Sequence, residues 1–143
     1  MYIVATMNTS DRNIAFLDLA IRRRFAFVPL LPNYDFLSEE VMFQDFDLGN
    51  ILKQINQRII DTLKDPELIL GQSYFIPKTK ESGKYIWGAN DFKNQFNFVL
   101  LPTLREYSFN SASAIGSIIG ENLSDGIQDL DDFMASFSAE FGE

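Results

Sequence analysis

Neither cysteine nor histidine occurs among the 143 residues. Their absence excludes disulfides, thiolate metal sites, Cys- or His-based catalytic triads and the commonest transition-metal ligand. No apolar run approaches the roughly 20 residues that a membrane helix needs. The start, Met1 to Thr6, has no basic stretch, and Asp11 and Arg12 follow too soon for a signal peptide, so the expected location is the cytoplasm. Bases are missing from the end of the chain: no Lys or Arg follows Arg105, whereas seven acids lie beyond Asn110. Residues 1–109 are almost neutral, with 12 bases against 13 acids, and the whole chain carries −8. Phosphate neutralisation needs clustered cations, so this balance argues against a nucleic-acid grip by this piece alone.

What is present is a large apolar fraction, 46% of residues, including 14 Phe, enough for an aromatic-rich core. Tyr2 to Thr6 is a β-branched apolar run without polar alternation, the signature of a buried strand. A polar segment, Met7 to Asn13, follows. Ile14, Leu17, Leu19, Ala20 and Ile21 then outline a short helix ending in Arg22, Arg23 and Arg24, where cations suit the helix dipole. Phe25 to Leu30 reads as a second strand, closed by Pro29 and Pro32. Strand, loop, helix and strand in 32 residues fit an α/β sheet.

Beyond residue 32 the spacing turns helical. A short helix is expected over Leu37 to Phe46, with Asn33 or Ser38 near its start. Ile51, Ile55, Ile59, Ile60 and Leu63 mark an amphipathic helix from about Leu48 to Lys64, broken by Asp65-Pro66. Lys78 to Lys84 is a charged surface loop. A last strong helix covers Asp91 to Tyr107, with Phe92, Phe96, Val99, Leu100 and Leu104 inward and a kink or break at Pro102. The acidic tail from residue 110 is expected to be weakly helical or flexible and loosely tethered, with Ile127, Leu130, Phe133, Met134 and Phe137 at helical spacing.

Two clusters have chemistry to offer. Asn8, Thr9 and Asp11 stand at the C-terminal end of the first strand, where ligands collect in α/β sheets. An amide there can hold a water or a γ-phosphate oxygen; equally, Thr9, Ser10 or Asp11 can simply cap the next helix. Arg22, Arg23 and Arg24 cannot share one helical face, because neighbours lie about 100° apart. They form either a solvated helix end or a phosphate contact, for which the planar, permanently charged guanidinium is suited.

The continuous stretch from Thr6-Met7-Asn8-Thr9-Ser10-Asp11-Arg12 through Leu17-Asp18-Leu19-Ala20-Ile21-Arg22-Arg23-Arg24-Phe25 resembles T-M-N-T-[AS]-D-R-S-I-x-x-L-D-x-A-[LI]-R-R-R-F. That is a pattern of the McrB-type AAA+ proteins, the motor subunits of modification-dependent restriction systems. Leu70-Gly71-Gln72-Ser73-Tyr74-Phe75 is similar to that family's I-G-H-S-Y-F lid segment, with Gln72 in place of His. Leu101 to Tyr107 resembles its I-x-P-L-L-x-E-Y helix. The resemblance covers residues 1–109. It implies a strand-helix-strand remnant of a P-loop AAA+ sheet (1–32) and a mainly α-helical lid (33–109), with the tail (110–143) outside the resemblance. It further implies that Asn8 is the sensor-1 residue, and that Arg23 and Arg24 act in trans on a neighbour's nucleotide. Thr9, Asp11, Arg12, Ser73 and Tyr74 are then expected at the cofactor, which is GTP or ATP with Mg2+.

No G-x-x-x-x-G-K-[ST] phosphate loop occurs: the only Gly-Lys, Gly83-Lys84, is followed by Tyr85. No apolar run ends in Asp-Glu to hold Mg2+. In the resembling family both elements precede the sensor-1 strand, so Met1 is expected to fall inside a domain. The expected function is a part of a nucleoside-triphosphatase that powers a restriction endonuclease complex. It would work as a ring of complete subunits, a hexamer, with a partner nuclease and DNA held by a separate domain; the fragment alone is expected to be inactive. The alternatives are a non-catalytic interaction module that binds complete subunits, and a plain helical binding domain with a fortuitous N-terminal match.

Overall fold

The computed structural model describes residues 2–6 and 23–142. It divides into two compact units, Met1–Leu31 and Pro32–Glu143. The described part is mainly helical with one small three-stranded sheet.

In the first unit, neither Tyr2–Thr6 nor Phe25–Leu30 is paired into a sheet, contrary to the two expected strands. Their side chains are exposed, Tyr2 and Val4 almost fully and Phe25 and Phe27 by about half. A buried parallel strand needs neighbours on its edges and helices over its faces, and the described residues of this unit supply none. The expected helix over residues 14–21 lies outside the described residues.

The second unit begins with helix α1, Tyr34–Glu40, capped by Asn33, whose side chain accepts the Phe36 N–H at 3.0 Å. The helix expected to reach Phe46 stops here, because Val41 takes an extended conformation and Val41–Met42 forms strand β1. Asp47 caps helix α2, Leu48–Leu63. Its carboxylate accepts the Asn50 N–H at 3.0 Å and the Ser38 hydroxyl at 2.6 Å. Leu48, Ile51, Leu52, Ile55 and Ile59 are buried along one face, as a 3.6-residue period requires. Gly49 lets α1 and α2 approach: a Cβ there would lie 2.2 Å from the Tyr34 carbonyl oxygen. Lys64, left-handed at φ 56°, ends the helix and its N–H returns to the Ile60 carbonyl.

After two short 3-10 turns, Pro66–Leu68 and Gln72–Phe75, the expected charged loop folds as a hairpin. Strands β2, Lys80–Glu81, and β3, Lys84–Ile86, pair antiparallel, and β3 also pairs parallel with β1. Helix α3, Ala89–Gln95, runs through a π-turn, Phe96–Leu100, into α4, Leu101–Tyr107. Pro102 has no N–H for the regular ladder, and the helix answers one residue earlier: Leu101 N–H bonds the Phe96 carbonyl. The wider turn brings Phe92, Phe96, Leu100, Leu101 and Leu104 inward and leaves Val99 exposed at 40%. Val99 therefore departs from the expected inward set.

The tail is helical where the spacing of Leu130, Phe133 and Phe137 suggested, but it is not loosely tethered. Residues 110–142 form α5, Ala112–Ile119, and α6, Leu130–Phe141, and belong to the same unit as the preceding helices. Phe133 and Phe137 are fully buried. The Phe137 ring meets those of Phe43, Phe46, Phe92, Phe96, Phe133 and Phe141. Glu121, Asp125, Asp129, Asp131 and Asp132 are exposed and Glu140 half-buried, so their charge did not prevent burial of the aromatic face. Lys93 Nζ and Asn97 Nδ2 reach the carbonyls of Gln128 and Ile127, each at 2.6 Å, tying the connection before α6 to α3 and the π-turn.

Candidate functional site

Of the residues singled out by the sequence, Asn8, Thr9, Asp11 and Arg12 lie outside the described residues. Arg23 and Arg24 are described, in a turn of the first unit, and both are exposed. Ser73 and Tyr74 lie in the second unit on the 3-10 turn Gln72–Phe75. The helical unit thus brings together only the last two, Ser73 exposed and Tyr74 half-buried.

That turn is fixed from several sides. Asn56, 2% exposed, meets Leu70 as one backbone strand meets another. Its Oδ1 accepts the Leu70 N–H at 2.7 Å and its Nδ2 donates to the Leu70 carbonyl at 2.9 Å. The same Nδ2 donates to the Tyr34 hydroxyl at 3.0 Å. Farther along, Gln95 Nε2 donates to the Tyr74 carbonyl at 3.0 Å and Trp87 Nε1 to the Phe75 carbonyl at 2.9 Å. Gln72, where the resembling pattern has His, accepts the Asn33 N–H through Oε1 at 3.2 Å. A buried amide with both edges satisfied holds a geometry at little cost, whereas an unpaired one is expensive. Asn56 was missed in the sequence reading, though its signal was present. It is the polar residue at a buried position of the α2 stripe, next to Ile55 and between Leu52 and Ile59.

Among the described residues no three of His, Cys, Asp and Glu stand together as a cation cage. Those that fit a nucleotide by chemistry are Ser73 and Tyr74, as hydroxyl donors, and Arg23 and Arg24, as cations. An open cleft of about 690 Å3 runs between Gln44–Ile51 and the last turns of α6, lined by Asp45, Phe46, Met134, Ser138 and Phe141 among others. It shares no residue with the Gly71–Phe75 turn. No helix among the described residues is long and apolar enough to cross a membrane.

The second unit is helical with one small three-stranded sheet and carries the Gly-Gln-Ser-Tyr-Phe turn. Residues 47–116 match the family model of the McrB alpha-helical lid domain, which assigns that stretch to the McrB type. It is similar to the Type IV methyl-directed restriction enzyme EcoKMcrB subunit of Escherichia coli (strain K12). Identity is 34% over 124 residues, covering 77% of this chain and 26% of that protein; the chain spans about a quarter of the relative's length. No solved structure matches.

Proposed function

We propose that this chain is the C-terminal part of the AAA+ module of a McrB-type motor subunit, hydrolysing GTP or ATP with Mg2+ to power a restriction endonuclease complex on DNA. The similarity to the E. coli restriction subunit across most of the chain carries this reading. Residues 1–32 would be the end of the AAA+ sheet, whose remaining strands would cover the exposed Tyr2, Val4, Phe27 and Val28. Asn8 would orient the attacking water or a γ-phosphate oxygen as sensor 1, with Thr9, Asp11 and Arg12 beside it. Arg23 and Arg24 would stabilise negative charge on the nucleotide of the next subunit in a hexameric ring. Their exposure suits a role outside their own subunit. Ser73 and Tyr74 would meet the nucleotide from the lid. Phosphate cradling and Mg2+ would come from elsewhere in the complete subunit, as would the domain that binds DNA, and the nuclease would be a separate partner.

The test is Arg23→Ala and Arg24→Ala, singly, in the complete subunit. Hydrolysis should fall by roughly 10³-fold or more, the range of arginine fingers in phosphoryl transfer, while nucleotide affinity holds. Subunits carrying Arg23→Ala should regain activity when mixed with subunits that supply the arginine but lack sensor 1. Hydrolysis that survives both changes would remove the trans assignment. The chain by itself should show no turnover.

A further inference from the structure

The start of the Gly71–Phe75 turn is held to the residues where the chain enters the helical unit. Just before it, Asn56 joins Leu70 to the Tyr34 hydroxyl, with contacts of 2.7, 2.9 and 3.0 Å. Two residues on, the Gln72 carboxamide oxygen holds the Asn33 N–H at 3.2 Å. Asn33 is the cap of α1 and the second residue of its unit. Two carboxamides therefore lock Ser73 and Tyr74 to the entry point of the lid. The two Asn56–Leu70 contacts are buried, where a hydrogen bond is strong and its loss leaves an unsatisfied group. With the Tyr74 and Phe75 carbonyls also occupied, by Gln95 and Trp87, the backbone of the turn has little freedom to swing away.

We infer that Asn56 and Gln72 are positioning residues, which touch no nucleotide themselves but set Ser73 and Tyr74 in place for it. This rests on the reading that Ser73 and Tyr74 meet the nucleotide. Preorganisation of this kind acts by removing the ordering cost from the binding step. The effect should therefore fall on affinity and leave the chemistry, which other residues perform, untouched. Asn56 is suited to the task where Asp is not: a carboxylate accepts from the Leu70 N–H but cannot donate to the Leu70 carbonyl.

The experiment uses the complete subunit with Asn56→Asp, Gln72→Ala and Ser73→Ala, measuring nucleotide affinity, KM and kcat below each variant's unfolding transition. Asn56→Asp should weaken binding roughly tenfold and Gln72→Ala several-fold, raising KM with kcat unchanged. Amide exchange at residues 70–75 should quicken in both. A merely structural role would lower the melting temperature without moving the affinity of the folded protein. If Ser73→Ala weakens binding and the two carboxamide variants do not, positioning is overturned while the nucleotide contact stands. If none of the three moves affinity, the contact itself is wrong and the inference falls with it. Should Asn56→Asp fail to fold, Gln72→Ala, at a half-buried side chain, decides the matter alone.

Discussion

Arg58 on α2 and Glu140 on α6 meet at 2.5 Å although 82 residues separate them in sequence. The same guanidinium donates to the Ile118 carbonyl at 3.2 Å and lies 5.4 Å from the centre of the Phe141 ring. One side chain thus links the first long helix to both helices of the acidic tail. The two partners are about a third exposed, so the charge pairing itself contributes at most about 1 kcal/mol. Glu140→Gln should therefore cost little and be insensitive to salt, whereas Arg58→Ala should cost more by also uncovering Phe141 and freeing the Ile118 carbonyl. Urea titrations of the two variants at low and high salt check this ordering; an equal loss in both would assign the whole effect to charge.

Phe137 carries the tail's contribution to the core. It is fully buried and stacks against Phe133 at 5.7 Å, with the Phe46 ring edge-on at 5.1 Å. Phe137→Ala should destabilise the chain by about 3–5 kcal/mol, the usual cost of an aromatic truncated in a packed core. Phe98→Ala, at a residue 63% exposed, is the control and should fall within roughly 0.5 kcal/mol of the parent. Thermal and denaturant unfolding of the two proteins would separate them.

Much of this arrangement was legible from spacing. The α2 stripe, the break at Asp65-Pro66 and the inward set Phe92, Phe96, Leu100 and Leu104 follow from periodicity, and the lid turn followed from its resemblance. Three things were not legible. The π-turn depends on how the helix answers the missing N–H of Pro102, which has more than one solution. The tail's docking depends on long-range partners such as Phe43 and Phe92, which no local pattern names. Strand β1 interrupts an apparently helical stretch because Val41 and Met42 find partners more than 40 residues later, Tyr85 and Ile86. Of the polar cluster around Asn8, spacing alone allowed both a cap and a ligand contact, since Thr, Ser and Asp serve either.

Asp47 gives a pH-dependent handle. Burial alone would raise its carboxyl, but hydrogen bonds from the Ser38 hydroxyl and the Asn50 and Gly49 amides outweigh that and bring it below the ordinary value of 3.8. A carboxyl that is more acidic when folded stabilises the fold above its unfolded value. That stability is lost as pH falls through the folded value. The window is therefore acidic, starting near 3.8 and extending below it. Asp47→Ala should cost about 0.5–2 kcal/mol at neutral pH through loss of the helix cap. Asp47→Asn should keep much of the cap and flatten the acid limb of the stability curve. Stability measured between pH 6 and pH 2.5 tests the sign; a variant whose acid limb is unchanged would exclude Asp47 as its source.

The sharpest prediction concerns where the lid ends. The family match stops at residue 116, yet Ile118, Ile119, Leu123, Phe133 and Phe137 beyond it are all essentially buried. Removing residues 117–143 would strip the cover from Phe43, Phe92 and Phe96 and leave Arg58 without Glu140. Each large apolar side chain returned to water costs about 1.5–3 kcal/mol, and three such losses are comparable to the roughly 5–15 kcal/mol that stabilises a typical domain. The truncated chain should therefore lose its cooperative thermal transition and bind hydrophobic dyes, while one ending at residue 142 should melt like the parent. A 1–116 chain that melted cooperatively would mean that α1 to α4 close a core without the tail, and that the aromatic cluster around Phe137 is an addition to a finished lid.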